Sequence, residues 1–261
     1  MFPILFKLGP IEIRMYGVMI ALAFIGGLIV GVKEARRRGV NPNHVHDFLA
    51  YAMIGGILGA RLYYVAVSEP LWYLSHPGQI LAVWKGGLSI HGGVLGGLLA
   101  GIWFTRRRQL GFWRFADVMT PSLILGQAIG RGACIFNGCS YGKPAPDLPW
   151  AIIFTDPRAQ APLGVPLHPT QFYELFTDLG IFILLWTLRS RATRFDGQLF
   201  LLYGVCYGVA RFVLEAFRGD SLMLGDLMPV AQAMSLVVLI LSFSLFVYRQ
   251  TRARPPGRSR A

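Results

Sequence analysis

Three arginines lie inside long apolar stretches of the chain, where a permanent positive charge is costly. They are Arg61, Arg131 and Arg211. A charged side chain at the centre of a bilayer costs about 2.5–3.5 kcal/mol on insertion scales. A guanidinium group keeps its proton in proteins, so it needs a carboxylate, backbone carbonyls, water or a phosphate group as its partner. The three residues are therefore candidates for binding an anion, although each could also serve the fold alone.

The surroundings of Arg131 favour the anion. It lies between Gly130 and Gly132, where the backbone can bend or approach a ligand closely. The forked guanidinium binds phosphate through paired hydrogen bonds. His91 and Tyr16 lie near the ends of other apolar stretches. Because phospholipids are the abundant anions of a membrane, these residues together indicate a site for an anionic headgroup.

Purely structural roles for these residues remain open alternatives. Tyr207, Arg211 and Glu215 are spaced four residues apart, so they share one helix face, and Glu215 could neutralise Arg211 in a purely structural pair. Arg61 is close enough to the end of its stretch to extend its charge to the membrane surface. His91 could be a packed hydrogen-bonding group rather than a base.

The elements that position these residues are predicted to be membrane-spanning helices. The chain has 261 residues, of which 54% are hydrophobic and 15% are charged, whereas soluble domains carry about 25% charged residues. The predicted fold class is an all-α polytopic membrane protein, because each span needs about 20 apolar residues. Seven stretches meet that need, at 15–32, 47–67, 87–104, 115–136, 171–188, 198–217 and 228–248.

The positions of the basic residues predict the orientation. Sixteen of the 25 Lys and Arg residues lie in residues 33–38, 105–114 and 189–194 and in the tail after the last span. Basic residues concentrate in cytoplasmic loops, so the N-terminus is predicted outside and the C-terminus in the cytoplasm. The net charge of +12 then reflects topology rather than nucleic-acid binding. We predict one seven-helix domain over 1–248, with a small outer loop or head region, and a basic cytoplasmic tail over 249–261.

Smaller patterns add local expectations. Glycines four residues apart, such as Gly55 and Gly59 or Gly92 and Gly96, allow close helix packing in lipid. Prolines exclude a continuous helix from the connection over 137–169, where residues 150–154 could form a short strand. Three cysteines are too few for a disulfide scaffold, although a Cys134–Cys139 disulfide is one alternative.

These motifs, taken in order, resemble one family: the bacterial phosphatidylglycerol–prolipoprotein diacylglyceryl transferases. The resemblance extends over nearly the whole chain, and the seven predicted spans with an outer N-terminus agree with it. It is carried by RMYG (14–17), GARLYYV (59–65), GGLSIHGG (86–93), ADVMTP (116–121), GRGACIFNGCSYG (130–142), PWAIIF (149–154), HPTQFYE (168–174) and YGVARFVLEAFR (207–218).

The resemblance implies specific roles for residues of this chain. The catalytic set is His91, as base or proton shuttle, with Arg131 and Arg211 as a phosphate clamp. The residues expected to bind substrate are Tyr16, Arg61, Asn137, Gly142, Tyr207 and Glu215. Two positions depart from the family pattern, which commonly has asparagine at Cys134 and glutamate at Cys139. We favour two explanations for these cysteines: they are small neutral residues that fill space, or they form a disulfide. A third explanation is that the chain belongs to a divergent subfamily.

The resemblance also implies the reaction and the setting. The family moves the diacylglyceryl group of phosphatidylglycerol to the lipobox cysteine of a preprolipoprotein, forms a thioether and releases glycerol phosphate. No metal or cofactor is expected, because the phosphodiester is an adequate leaving group once its charge is neutralised. The expected setting is the bacterial inner membrane and the expected state a monomer, with no nucleic-acid partner. Two alternatives stay open: a phospholipid or anion transporter, and a divergent homologue with another acceptor.

Overall fold

Eight α-helices make up most of the described structure, and seven of them are long. The computed structural model describes residues 4–8, 11–190, 194–225 and 227–253. Residues 191–193 of a predicted inner loop and 254–261 of the predicted tail lie outside this description. The helices are α1 (Met15–Arg37), α2 (Asn43–Ser68), α3 (Pro70–Ser75), α4 (Ile90–Arg107), α5 (Phe112–Asn137), α6 (Thr170–Leu188), α7 (Gln198–Glu215) and α8 (Val230–Arg252).

Five of the described helices are long and apolar enough to cross a membrane: α1, α2, α6, α7 and α8. This confirms the predicted class, a mostly helical membrane protein. The other two long helices coincide with the remaining predicted spans but are less apolar. α4 ends in Arg106 and Arg107, and α5 carries Asp117, Gln127 and Arg131. The count of seven spans and the orientation of the termini therefore remain predictions.

The chain divides into two compact units, which we describe separately. The α2–α4 unit comprises residues 31–118. The α5–α8 unit comprises residues 1–30 and 119–261, so α1 and α5 contribute to both. The prediction of one continuous domain over 1–248 stays a prediction.

Glycines hold the α2–α4 unit together. A β-carbon added at Gly55 would lie 3.0 Å from the Gly96 carbonyl oxygen, and one added at Gly59 would lie 2.8 Å from the Gly96 α-carbon. On the other helix, a β-carbon at Gly92 would overlap the Gly59 backbone. Real β-carbons do not come this close, so the two backbones touch only because these residues lack side chains. The predicted close packing of small residues is confirmed here.

In the α5–α8 unit, apolar side chains from α5, α6 and α7 share a small core. Its buried members are Ile124, Ile181, Leu185, Leu199 and Tyr203. α8 packs on α7 at another pair of small residues, where Gly204 faces Ser242 and Gly208 faces Leu239. The long helices of this unit are thereby fixed against each other.

Among the described residues, the α5–α8 unit contains three two-stranded antiparallel sheets; the first precedes α1 and the other two lie in connections between helices. Their pairs are β1 (Ile4–Leu8) with β2 (Ile11–Arg14), β3 (Ile152–Ile153) with β4 (Pro166–Leu167), and β5 (Met223–Leu224) with β6 (Met228–Pro229). The short strand predicted within residues 150–154 is therefore present as β3. Phe154, Ala161 and Leu167 form a buried apolar cluster beside β3 and β4, which holds the proline-rich connection against itself.

Candidate functional site

The centre of the candidate site is a carboxylate on α6. Glu174 is 2% exposed and forms ion pairs with three arginines from separate parts of the chain. Its Oε2 lies 3.0 Å from Arg131 Nη1 on α5, and its Oε1 lies 2.5 Å from Arg211 Nη1 on α7. Arg218, three residues beyond α7, places Nη1 3.2 Å from the same Oε1. One side chain therefore links both arginines of the predicted phosphate clamp and adds a third.

Three further carboxylates surround these arginines. Glu215 Oε2 lies 2.6 Å from Arg211 Nη2, and its Oε1 accepts a hydrogen bond of 2.6 Å from the hydroxyl of Ser221. Asp220 pairs with Arg218 at 2.8 Å. Asp178 is more distant, with Oδ2 3.9 Å from Arg131 Nε. The contact between Glu215 and Arg211 supports the structural pair that the sequence offered as an alternative, and a role of Glu215 in binding substrate stays a prediction.

The sequence analysis did not single out Glu174, Asp178 or Arg218. Two of them could have been identified from the sequence. Glu174 is the last residue of the motif at 168–174, and Asp178 follows it by four residues in an otherwise apolar run. Carboxylates at that spacing share a helix face and are costly in a membrane unless paired. Arg218 lies just past a predicted span, where an arginine attracts no special notice.

The turn after α5 is held by the first residues of α6. Gly138 and Ser140 both have positive φ angles, 69° and 56°, which turn the chain sharply at the helix end. Gln171 donates a hydrogen bond of 2.9 Å to the Cys139 carbonyl, and the Thr170 hydroxyl donates one of 2.6 Å to the Ser140 carbonyl. Residues that follow Arg131 are therefore anchored to the helix that carries Glu174.

Gly142 lies where two other segments leave no room for a side chain. It forms a bridge with Arg218, and an added β-carbon would overlap the His168 carbonyl oxygen and lie 2.5 Å from the His168 β-carbon. This packing alone explains why position 142 is a glycine, without any contact with substrate. A direct role in binding substrate stays a prediction.

A substitution tests this steric constraint. We expect Gly142→Ala to destabilise the folded protein by about 1–3 kcal/mol, the usual cost of overpacking, because backbone rather than a flexible side chain must move. The measurement is thermal unfolding in detergent. The matched control is Gly180→Ala on α6, where a β-carbon meets no atom within 4 Å of the described structure. Equal melting temperatures for the two variants would contradict the constraint.

The two cysteines that depart from the family pattern carry free thiols. Their thiols interact, and the hydrogen bond with Cys134 followed by burial raises the pKa of the Cys139 thiol. The Ser140 hydroxyl lies 3.9 Å from the Cys134 sulfur. The described structure therefore contains no Cys134–Cys139 disulfide, and the role of these cysteines as small neutral fillers stays a prediction.

Tyr16 and Asn137 line one cavity of about 300 Å³ in the α5–α8 unit, together with Glu12, Arg14 and Arg158 among its polar residues. Two residues predicted to bind substrate thus line the same cavity, whose walls are both polar and apolar. Tyr207 lies elsewhere in the unit, stacked on Tyr203 with ring centroids 5.6 Å apart. The Tyr203 hydroxyl donates to Gln127 at 2.9 Å, which fixes the surface against which Tyr207 packs.

Arg61 and His91 belong to the α2–α4 unit. The Arg61 side chain is buried and donates to the carbonyls of Gln79, Ile80, Gly86 and Gly87 at 2.7–3.0 Å. These contacts support the alternative in which Arg61 orders the connection between α2 and α4. Its role in substrate binding stays a prediction.

His91 is differently placed, in the first turn of α4. Its ring lies 6.2 Å from that of Tyr63 and, within the described residues, takes part in no hydrogen bond. An imidazole without a protein partner is free to exchange a proton with a bound molecule. The prediction that His91 acts as a base is compatible with this setting.

The fold and the site together define a class: a helical membrane protein whose long helices hold a largely buried cluster of arginines and carboxylates. A sequence profile described as prolipoprotein diacylglyceryl transferase matches residues 3–248. The chain belongs to this transferase family, which confirms the resemblance read from the motifs.

Relatives from several bacteria agree along nearly their whole length. All three compared here are named phosphatidylglycerol–prolipoprotein diacylglyceryl transferase. The protein of Thermosynechococcus vestitus is 41% identical, covering 95% of this chain and 94% of the relative. That of Synechococcus elongatus is 43% identical, covering 91% and 83%. That of Bacillus velezensis is 36% identical, covering 96% and 93%.

Proposed function

We propose that this protein transfers the diacylglyceryl group of phosphatidylglycerol to the lipobox cysteine of preprolipoproteins. The observation that supports the proposal best is the pair Arg131 and Arg211, brought together on Glu174 within a chain that matches the transferase family over 3–248. The names of the relatives supply the donor lipid and the acceptor class.

In the proposed reaction, the cysteine sulfur forms a bond to the terminal glycerol carbon of the diacylglycerol unit. The bond from that carbon to the phosphate oxygen breaks, and glycerol phosphate leaves with the electron pair. The thiol must lose its proton, because the thiolate is the nucleophile. We assign that proton to His91, while Arg131 and Arg211 hold the charge of the departing phosphate.

The carboxylates do not prevent the arginines from binding phosphate. Each guanidinium has five N–H donors, and Arg131 contacts Glu174 and Asp178 through Nη1 and Nε only. Donors therefore remain for a phosphate oxygen, and the fixed orientation lowers the cost of binding it. Such preorganised charge is usually the largest catalytic contribution. Tyr16, Asn137 and Tyr207 are proposed to orient the headgroup oxygens.

The proposed setting is the bacterial inner membrane. Seven spans with the N-terminus outside would place the turn after α5 at the outer surface, where secreted precursors emerge. The monomer is proposed as the working unit, since donor, acceptor and catalytic groups can all be supplied by one chain and its membrane.

One reconstitution tests the proposed function. Purified protein is incubated with phosphatidylglycerol and a synthetic lipobox peptide, and both the thioether product and glycerol phosphate are measured. Equal amounts of the two products support the proposal. Lipid binding with neither product would support a transporter instead, and glycerol phosphate without thioether would indicate another acceptor.

A histidine variant tests the assigned base. We expect His91→Gln to lower kcat by about 10²–10⁴-fold, the usual contribution of general acid–base catalysis. The matched control is His46→Gln, an exposed histidine of the same unit that contacts the Pro42 carbonyl at 3.1 Å, and its kcat should stay within about twofold. Near-normal turnover by the His91 variant would reassign His91 to packing or orientation.

A further inference from the structure

The charges around Arg131 do not balance. Within the described residues, the cluster contains three cations and four carboxyl groups. The cations are Arg131, Arg211 and Arg218, and the carboxyl groups are Glu174, Asp178, Glu215 and Asp220. If every group is ionised, the cluster carries one excess negative charge. That is an unfavourable starting point for a site that must accept an anion.

The excess charge can be assigned to one residue by the contacts that each carboxylate makes. Glu174 contacts three guanidinium groups at 2.5–3.2 Å. Glu215 and Asp220 each have an arginine within 2.6–2.8 Å. Asp178 has only Arg131 at 3.9 Å, which is beyond hydrogen-bond distance. Of the four carboxyl groups, Asp178 therefore has the weakest contacts with a positive charge.

The environment makes an unsupported carboxylate costly. Asp178 is 4% exposed and lies in the apolar part of α6. Burial disfavours the charged form of a carboxyl group, and a nearby negative charge disfavours it further. A lipid phosphate that binds Arg131 would add a second anion beside Asp178. Because the arginines cannot change their charge, the carboxyl group is where the site can adjust.

We propose that Asp178 takes up a proton from solvent when an anionic lipid headgroup binds, so that its negative charge no longer offsets the positive charge of Arg131 beside the phosphate. This inference rests on the proposed function and adds a proton to its binding step. Asp178 is a positioning residue, because it acts through Arg131 rather than on the lipid. One O–H bond forms, between a proton from solvent and the Asp178 carboxylate, and no other bond changes. Arg131 keeps its contact with Glu174.

The groups facing Asp178 determine the sign of the pH dependence. They are Arg131 on α5, Glu174 on α6, and Arg211 and Tyr203 on α7. At low pH Asp178 is already neutral, so the headgroup binds without proton uptake and with its highest affinity. As the pH rises, the charge of ionised Asp178 offsets that of Arg131 and weakens headgroup binding. Headgroup affinity then falls by up to about tenfold per pH unit, as linkage to one proton requires.

Calorimetry tests this directly. The full chain in neutral detergent is titrated with phosphatidylglycerol, without peptide, at one pH in two buffers of different ionisation enthalpy. We expect about one proton taken up per lipid above the titration range of Asp178 and none well below it. Asp178→Asn should bind without uptake and with an affinity independent of pH. Asp178→Glu should restore the uptake, and diacylglycerol, which lacks the phosphate, should cause none.

The outcomes separate this inference from the proposed function. Lipid binding by the wild-type protein without proton uptake at any pH would overturn the inference alone. Uptake that persists unchanged in Asp178→Asn would assign the proton to another group and overturn it as well. A wild-type protein that binds no phosphatidylglycerol would overturn the proposed function and this inference with it.

Discussion

Replacing Arg211 by alanine is expected to lower the transfer rate by about 10²–10³-fold, the usual loss when one donor to a developing anion is removed. Arg211 contacts Glu174 and Glu215 at 2.5 and 2.6 Å, so its removal also takes one close partner from each of two buried carboxylates. The measurement is thioether formation by the purified variant at saturating lipid and peptide.

The matched control for this prediction is Arg108→Ala. Arg108 also pairs with a carboxylate, Asp47, at 2.7 Å, but both side chains are about half exposed. Exposed pairs contribute little, so this variant should keep its activity within about twofold. Arg211→Lys separates charge from geometry, because lysine retains the charge without the fork. Full activity in Arg211→Ala, with the protein inserted in the membrane, would eliminate the phosphate clamp.

Replacing Glu174 by alanine is expected to cause the largest loss of stability. Removing one partner of a buried ion pair costs about 3–5 kcal/mol. We expect a value near the lower limit, because Arg131, Arg211 and Arg218 each keep another carboxylate: Asp178, Glu215 and Asp220 respectively. What is lost is the link between α5, α6 and α7. The measurement is the free energy of unfolding in detergent micelles.

Asp47→Ala is the control here, since it removes the carboxylate of an exposed pair and should cost no more than about 1 kcal/mol. Glu174→Gln keeps the shape of the side chain and removes its charge, so its loss of stability should lie between those of Glu174→Ala and Asp47→Ala. If Glu174→Ala were as stable as Asp47→Ala, the three arginines would not depend on Glu174 for their positions.

The positions of the helices could be read from the sequence because apolar length is a local property. The span predicted over 171–188 matches α6 within a residue, and that over 115–136 lies within α5. The prediction over 198–217 ran two residues too far. α7 ends at Glu215, since the chain turns there and brings Arg218 back to Glu174. Hydropathy contains no information about such a return.

The difference between local sequence patterns and contacts between distant segments also explains which site residues could be predicted. Arg211 and Glu215 are four residues apart, so their pairing follows from helix geometry alone. Arg131 was conspicuous as an unexplained charge. Its pairing with Glu174, in contrast, joins residues 43 positions apart on different helices, and periodicity carries no signal for a contact between helices. The family resemblance supplied Gly142 by position, and the structure supplied the steric reason.

The glycine contact between α2 and α4 has a mechanical consequence. Because backbone rests on backbone at Gly55, Gly59, Gly92 and Gly96, these four positions have no side chain of their own that could absorb a shift between the two helices. Sliding one helix along the other would force residues that do have side chains into a gap too narrow for them. His91 is adjacent to Gly92, so the backbone that carries it can move little along the α4 axis. Any reorientation of its ring during turnover must therefore come from rotation about its own side-chain bonds.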